Sequence, residues 1–113
     1  MRSFVTVAIV ATLLSTTAAP QTLPASSPFA AKSTLPFEAP PFDRIKSTDY
    51  LPALEAGMAA QRAEIAKIAD DRAAPTFDNT IAAMERSGRL LERAGLAFYA
   101  VVGANTDDTL QKT

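Results

Sequence analysis

The sequence is 113 residues long, with 11 basic and 12 acidic side chains and neither histidine nor cysteine. That length holds one modest domain at most, and the near-balanced charge points away from nucleic acid as a partner. The missing residue types exclude disulfides, thiolate or imidazole metal sites, Ser–His pairs and imidazole bases. A metal site made from these residues would use carboxylates and carbonyls alone, which suits a hard cation such as calcium or magnesium. Charge is unevenly placed: only Arg2, Lys32 and Glu38 are charged before Asp43, and of eight prolines only Pro52 and Pro75 lie after it. Two kinds of chain meet near that point.

Residues 1–19 read as a secretory signal peptide. Met1-Arg2 is a short basic start, "FVTVAIVATLL" (Phe4–Leu14) an apolar run, and "STTAA" a small-residue cleavage region before Pro20. The run is too short for a membrane anchor, which takes about twenty apolar residues. The chain is therefore expected to be exported, periplasmic or secreted, with no membrane association once cut after Ala18 or Ala19. Residues 20–42, rich in Pro and Ser, are expected to form a flexible or extended leader rather than a packed core. The prolines lack the regular PxxP repeat and basic flanks of a docking ligand. Phe37, Phe42 and Ile45 are the side chains expected to pin its far end to the folded part.

From there the pattern is helical, and the fold class expected is all-α. Over about 48–70, Thr48 is a candidate cap with Asp49 at the positive end of the helix dipole, and Pro52 is tolerated in the first turn. Leu51, Leu54, Met58, Gln61, Ile65 and Ile68 mark one helix face. "DDRAAP" breaks it. Thr76 is then the natural N-cap of a second helix over about 77–102, with Asp78 and Asn79 in its first turn. Its seam is Phe77, Ile81, Met84, Gly88, Leu91, Gly95, Phe98 and Val102, and the two seam glycines predict a close approach by another element. Gly103 is the expected left-handed stop. "NTDDTLQKT" reads as the start of a third helix capped by Thr106. The result is an antiparallel helical hairpin plus the beginning of a further helix. A hairpin alone leaves two apolar seams in water and is marginal without disulfide or metal, which predicts that the chain is a piece of something larger.

No catalytic, cofactor-binding or metal-ligating residue is expected within the chain. Asp70-Asp71 and Asp107-Asp108 are its adjacent carboxylate pairs, but neither has an EF-hand spacing, and the second is explained as helix-start residues. Arg86, Arg89 and Arg93, interleaved with Glu85 and Glu92, read as a solvated, salt-bridged face with Glu85–Arg89 as an i,i+4 pair. Met84, Phe98 and Tyr99 read as core.

The stretches "APPFDRIKSTDYLPALEAGMAAQRAEI", "IADDRAAPTFDNTIAAMERSG" and "GANTDDTLQ" are similar to the N-terminal part of peptidyl-dipeptidases of the thimet oligopeptidase and oligopeptidase A family. The resemblance runs from about Pro36 to Thr113, with Pro75–Thr80 resembling the family's helix entrance. It implies that residues 43–113 are the N-terminal helical part of a larger two-lobed zinc peptidase. Such an enzyme would remove dipeptides from the C-terminus of short peptides or cleave them internally. It also implies zinc held by an H-E-x-x-H helix and a downstream Glu, with the motif's Glu as general base. None of these residues is present here, so the chain alone is expected to be inactive, its seams packing on other helices of the same protein. A complete small secreted helical protein that binds a partner through those seams is the alternative.

Overall fold

The lead-in to the first helix is closed by a side chain reaching backwards. The Asp49 carboxylate accepts the Lys46 N–H at 2.8 Å and Asp49 N–H donates to the Lys46 carbonyl at 2.9 Å, which winds Ser47–Asp49 into a 3-10 turn. Asp49, rather than Thr48, therefore satisfies the entrance, and helix α1 runs Tyr50–Ala69. The structure is a computed structural model describing residues 22–113, so the expected signal peptide lies outside the described residues. At the far end Asp70 N–H still bonds the Ala66 carbonyl at 2.9 Å, while the Asp71 carboxylate turns back to accept Ala73 N–H at 2.9 Å. The Asp71 side chain thus turns the backbone out of α1.

Thr76 caps the next helical run as expected, through a reciprocal pair: Asn79 N–H donates to Thr76 Oγ1 at 3.1 Å and Thr76 N–H to Asn79 Oδ1 at 2.7 Å. The run is not one helix. It begins as a π-helical stretch, Phe77–Ala82, continues as the single α-turn α2, Ala83–Arg86, and breaks before α3, Arg89–Ala104. At the break Ser87 is extended (ψ 159°) and Gly88 left-handed (φ 73°). Both the Ser87 N–H and its Oγ–H donate to the Met84 carbonyl, at 3.0 and 2.7 Å. An unbroken seam period concealed this stop, because Gly88 falls on the seam and also takes the left-handed position. Gly103, expected there, is instead helical, and α3 ends at Ala104. The third helical start is the 3-10 turn Leu110–Lys112, whose first N–H is met by Asp107 rather than Thr106: Asp107 Oδ1 accepts Leu110 N–H at 2.8 Å.

Helices α1 and α3 form the expected antiparallel hairpin, and the described residues contain no strand. Its register follows from three contacts in opposing order along the two helices. Tyr50 meets Phe98, Gly57 meets Leu91, and Glu64 meets Gly88. The face buried between them is small: Ala53, Ala56 and Gly57 on α1, Ala94 and Ala97 on α3. The expected α1 seam therefore divides, with Leu54, Gln61 and Ile68 half-buried and Leu51, Met58 and Ile65 turned out to solvent. Bulk comes from Tyr50 and from two side chains outside the helices, Phe29 and Leu110. Leu23, Ile45, Leu54, Leu90, Phe98, Val101 and Val102 pack around them. Of the side chains expected to pin the leader, Ile45 reaches this cluster, whereas Phe42 is half exposed and Phe37 fully exposed.

Candidate functional site

The charged residues singled out in the sequence do not converge. Asp71 is used in the turn after α1, and Asp107 accepts from Ser47 Oγ at 2.5 Å as well as from Leu110 N–H. These donors, the Ser47 hydroxyl foremost, hold the Asp107 carboxyl below its ordinary value. A carboxylate so stabilised in its charged form is poorly suited to general-acid work near neutrality. Among the described residues no group of three or more Asp or Glu side chains is placed to hold a metal ion.

The arginines separate in the same way. The Ser87–Gly88 break turns Arg86 away from the other two, and its guanidinium donates to the Asp78 carbonyl at 3.2 Å. Arg89 pairs with Glu92 at 3.1 Å, because the same break removes the helical geometry an i,i+4 pair with Glu85 requires. Arg93 donates to the Phe29 carbonyl at 3.3 Å, and its Nε is buried with no hydrogen-bond partner among the described residues. This tie between α3 and the Pro/Ser-rich segment was missed from sequence. Phe29 in "SSPFAA" gave a faint signal, as a large apolar residue behind a Ser-Ser-Pro turn.

What the elements do bring together is apolar surface. Phe77, Ile81 and Met84, at helical spacing on the π-helical stretch and α2, are largely exposed, as are Leu96 and Tyr99 on α3. Tyr99, expected in the core, stacks edge-on against Phe98 at 5.5 Å but remains 74 % exposed. An open groove of about 650 Å³ lies between these patches, lined by Leu54, Gln61, Met84, Leu91, Gly95 and Tyr99 among others. Apolar patches of this kind, rimmed by charge, mark surfaces that pack on something else. No helix of the described residues is long and apolar enough to cross a membrane.

No protein-family model matches the chain. It is 49% identical over 86 residues, 76% of its length, to the dipeptidyl carboxypeptidase of Escherichia coli (strain K12). Against the dipeptidyl carboxypeptidase of Salmonella typhimurium (strain LT2) it is 45% identical over 87 residues, 77% of its length. The chain belongs to the dipeptidyl carboxypeptidase family. It spans 13% of the length of either relative. A matched stretch of 86 residues in a chain of 113 necessarily contains Pro28 through Arg86, so the dipeptidyl carboxypeptidase likeness takes in Phe29, the whole of α1 and the Thr76 entrance.

Proposed function

We propose that this chain is the N-terminal helical scaffold of an exported zinc peptidase that removes dipeptides from the C-terminus of short peptides. The reading is carried by its identity to two dipeptidyl carboxypeptidases over a small share of their length. Export is supported by the basic, apolar and small-residue order of residues 1–19. The chain's own residues do not fit a zinc ion: it has no His or Cys, and its described carboxylates form no cluster. Catalytic and metal-binding residues accordingly belong to the remainder of the enzyme, and this part serves by packing. The exposed Phe77, Ile81, Met84, Leu96 and Tyr99 are the surface through which it docks on further helices of the same protein.

The test is to sequence the coding DNA through and beyond the Thr113 codon, then express the whole frame. A long frame carrying H-E-x-x-H, releasing C-terminal dipeptides in a way that chelation abolishes and zinc restores, supports the reading. A stop codon directly after Thr113 in an intact locus overturns it. The same exposed faces would then favour the second reading, a small secreted helical protein that binds a partner, which should behave as a cooperative monomer or defined oligomer on its own.

A further inference from the structure

The facing surfaces of α1 and α3 are alanine and glycine, so the large side chain contributed by residues 22–42 matters more than its segment's composition suggests. Phe29 is 4 % exposed. Its ring centroid lies 5.6 Å from that of Tyr50, tilted by 53°, and its carbonyl accepts the Arg93 guanidinium at 3.3 Å. The turn that presents it is closed by Ser27 N–H to the Pro24 carbonyl at 2.9 Å and Ala30 N–H to the Ser27 carbonyl at 3.0 Å. Leu23 packs on the same cluster, and Pro41 is buried at the other end of the segment. Between these anchors Ala30, Ala31, Lys32, Thr34 and Leu35 are exposed. The segment is thus fixed at both ends and open in the middle, and Phe29 falls inside the sequence shared with the two relatives.

The Arg93 contact is an incomplete tie. Among the described residues the buried Arg93 Nε has no partner, so the guanidinium is incompletely satisfied while the segment is docked.

We propose that Leu23–Pro41 is an intramolecular clasp: Phe29, docked on Tyr50 and tied to Arg93, holds the Tyr50 end of the α1/α3 pair shut, and trimming the chain past Phe29 opens it. The clasp acts on the helix pair itself and stands apart from the peptidase reading.

Hydrogen exchange across Arg89–Ala104, followed by mass spectrometry in the full chain, tests this. Phe29→Ala is expected to speed exchange in α3 by about tenfold or more, Phe29→Leu by less, and Phe37→Ala not at all. Arg93→Gln, which leaves the apolar cluster filled, should speed exchange in both Thr22–Leu35 and α3. Cleavage after the exposed Lys32 by a lysine-specific protease, in a chain carrying Lys46→Arg, Lys67→Arg and Lys112→Arg because those lysines are exposed too, should reproduce the Phe29→Ala pattern. The proposal is overturned if Phe29→Ala exchanges like Phe37→Ala, or if the chain cut at Lys32 keeps α3 protected. Should Phe29→Ala fail to fold, equal exchange in Phe29→Leu and Phe37→Ala overturns it instead.

Discussion

Gly57 on α1 lies against the backbone of Leu91 on α3: a Cβ built on Gly57 would come within 2.7 Å of Leu91 Cα and 2.8 Å of its N. Backbone atoms cannot swing aside as a side-chain tip can, so this pair fixes how closely the two helices approach. Gly57→Ala gains about 1 kcal/mol of helix propensity but forces the helices apart, at about 1–3 kcal/mol or more. The expected outcome is net destabilisation, read as a lower urea midpoint. Gly95, also inside α3, has nothing within 4 Å of its would-be Cβ. Gly95→Ala is therefore expected to stabilise by about 0.5–1 kcal/mol. If Gly57→Ala raises the midpoint as Gly95→Ala is expected to, the packing assigned to Gly57 is wrong.

Gly88 combines two demands. Its φ of 73° costs a β-carbon residue about 1–2 kcal/mol, and a Cβ there would meet the Gln61 side chain at 2.6 Å. Gln61 can yield, so the backbone term decides. Gly88→Ala is expected to lower stability by about 1–2 kcal/mol, and Gly88→Asn by less, because Asn tolerates the left-handed region. Chemical denaturation of the two variants side by side checks the order.

Tyr50 ties stability to alkaline pH. Burial first, and the Asp49 carboxylate second, push its phenol above the ordinary value of 10.0. The fold therefore favours the neutral form, and that contribution is whole below the unfolded-state value and lost as pH climbs through the higher folded value. Circular dichroism and tyrosinate absorbance, followed together from about pH 9 to about pH 12, should show helix loss tracking Tyr50 ionisation. Tyr50→Phe keeps the ring against Phe29 and Phe98 and should remove that alkaline component. An unchanged alkaline transition in Tyr50→Phe would assign it elsewhere.

The Ser47–Asp107 contact works at the opposite end of the pH scale. With its folded value depressed, the Asp107 carboxylate contributes above its unfolded-state value, and the contribution disappears as pH falls through the lower folded one. Ser47→Ala removes the largest cause and should move the Asp107 titration upward, monitored by NMR at its carboxyl carbon. The Leu110 amide, which donates to Oδ1 of the same group, should report the same shift.

The parts of the fold legible in the sequence were those fixed by local chemistry. The Thr76 cap, the "DDRAAP" interruption and the helical character of both long runs follow from side chains acting on backbone a few residues away. What escaped was set by contacts distant in sequence. Periodicity placed the α1 interface on Leu51, Met58 and Ile65 because they are large, whereas the structure selects the smaller face, where Gly57 allows α3 to come close. The break at Gly88 was hidden because a glycine on an apolar seam signals both close approach and a left-handed stop, and here it is both. Phe29 was lost in a proline-rich context. As for a site, the absence of His and Cys already ruled out the usual catalytic sets, and the separation of Arg86 from Arg89 and Arg93 needed the break itself to be known.

Phe29 and Leu110 enter one cluster from segments some eighty positions apart along the chain, on either side of an interface too poor in bulk to close unaided. This arrangement bears on the order of events as the polypeptide is made. The two helices can form and touch early, but the cluster between them is complete only when Leu110 has emerged to meet a Phe29 made long before. Until then the early segment lacks the side chain that completes the cluster around it, so docking of Phe29 and arrival of Leu110 are a single late event in folding.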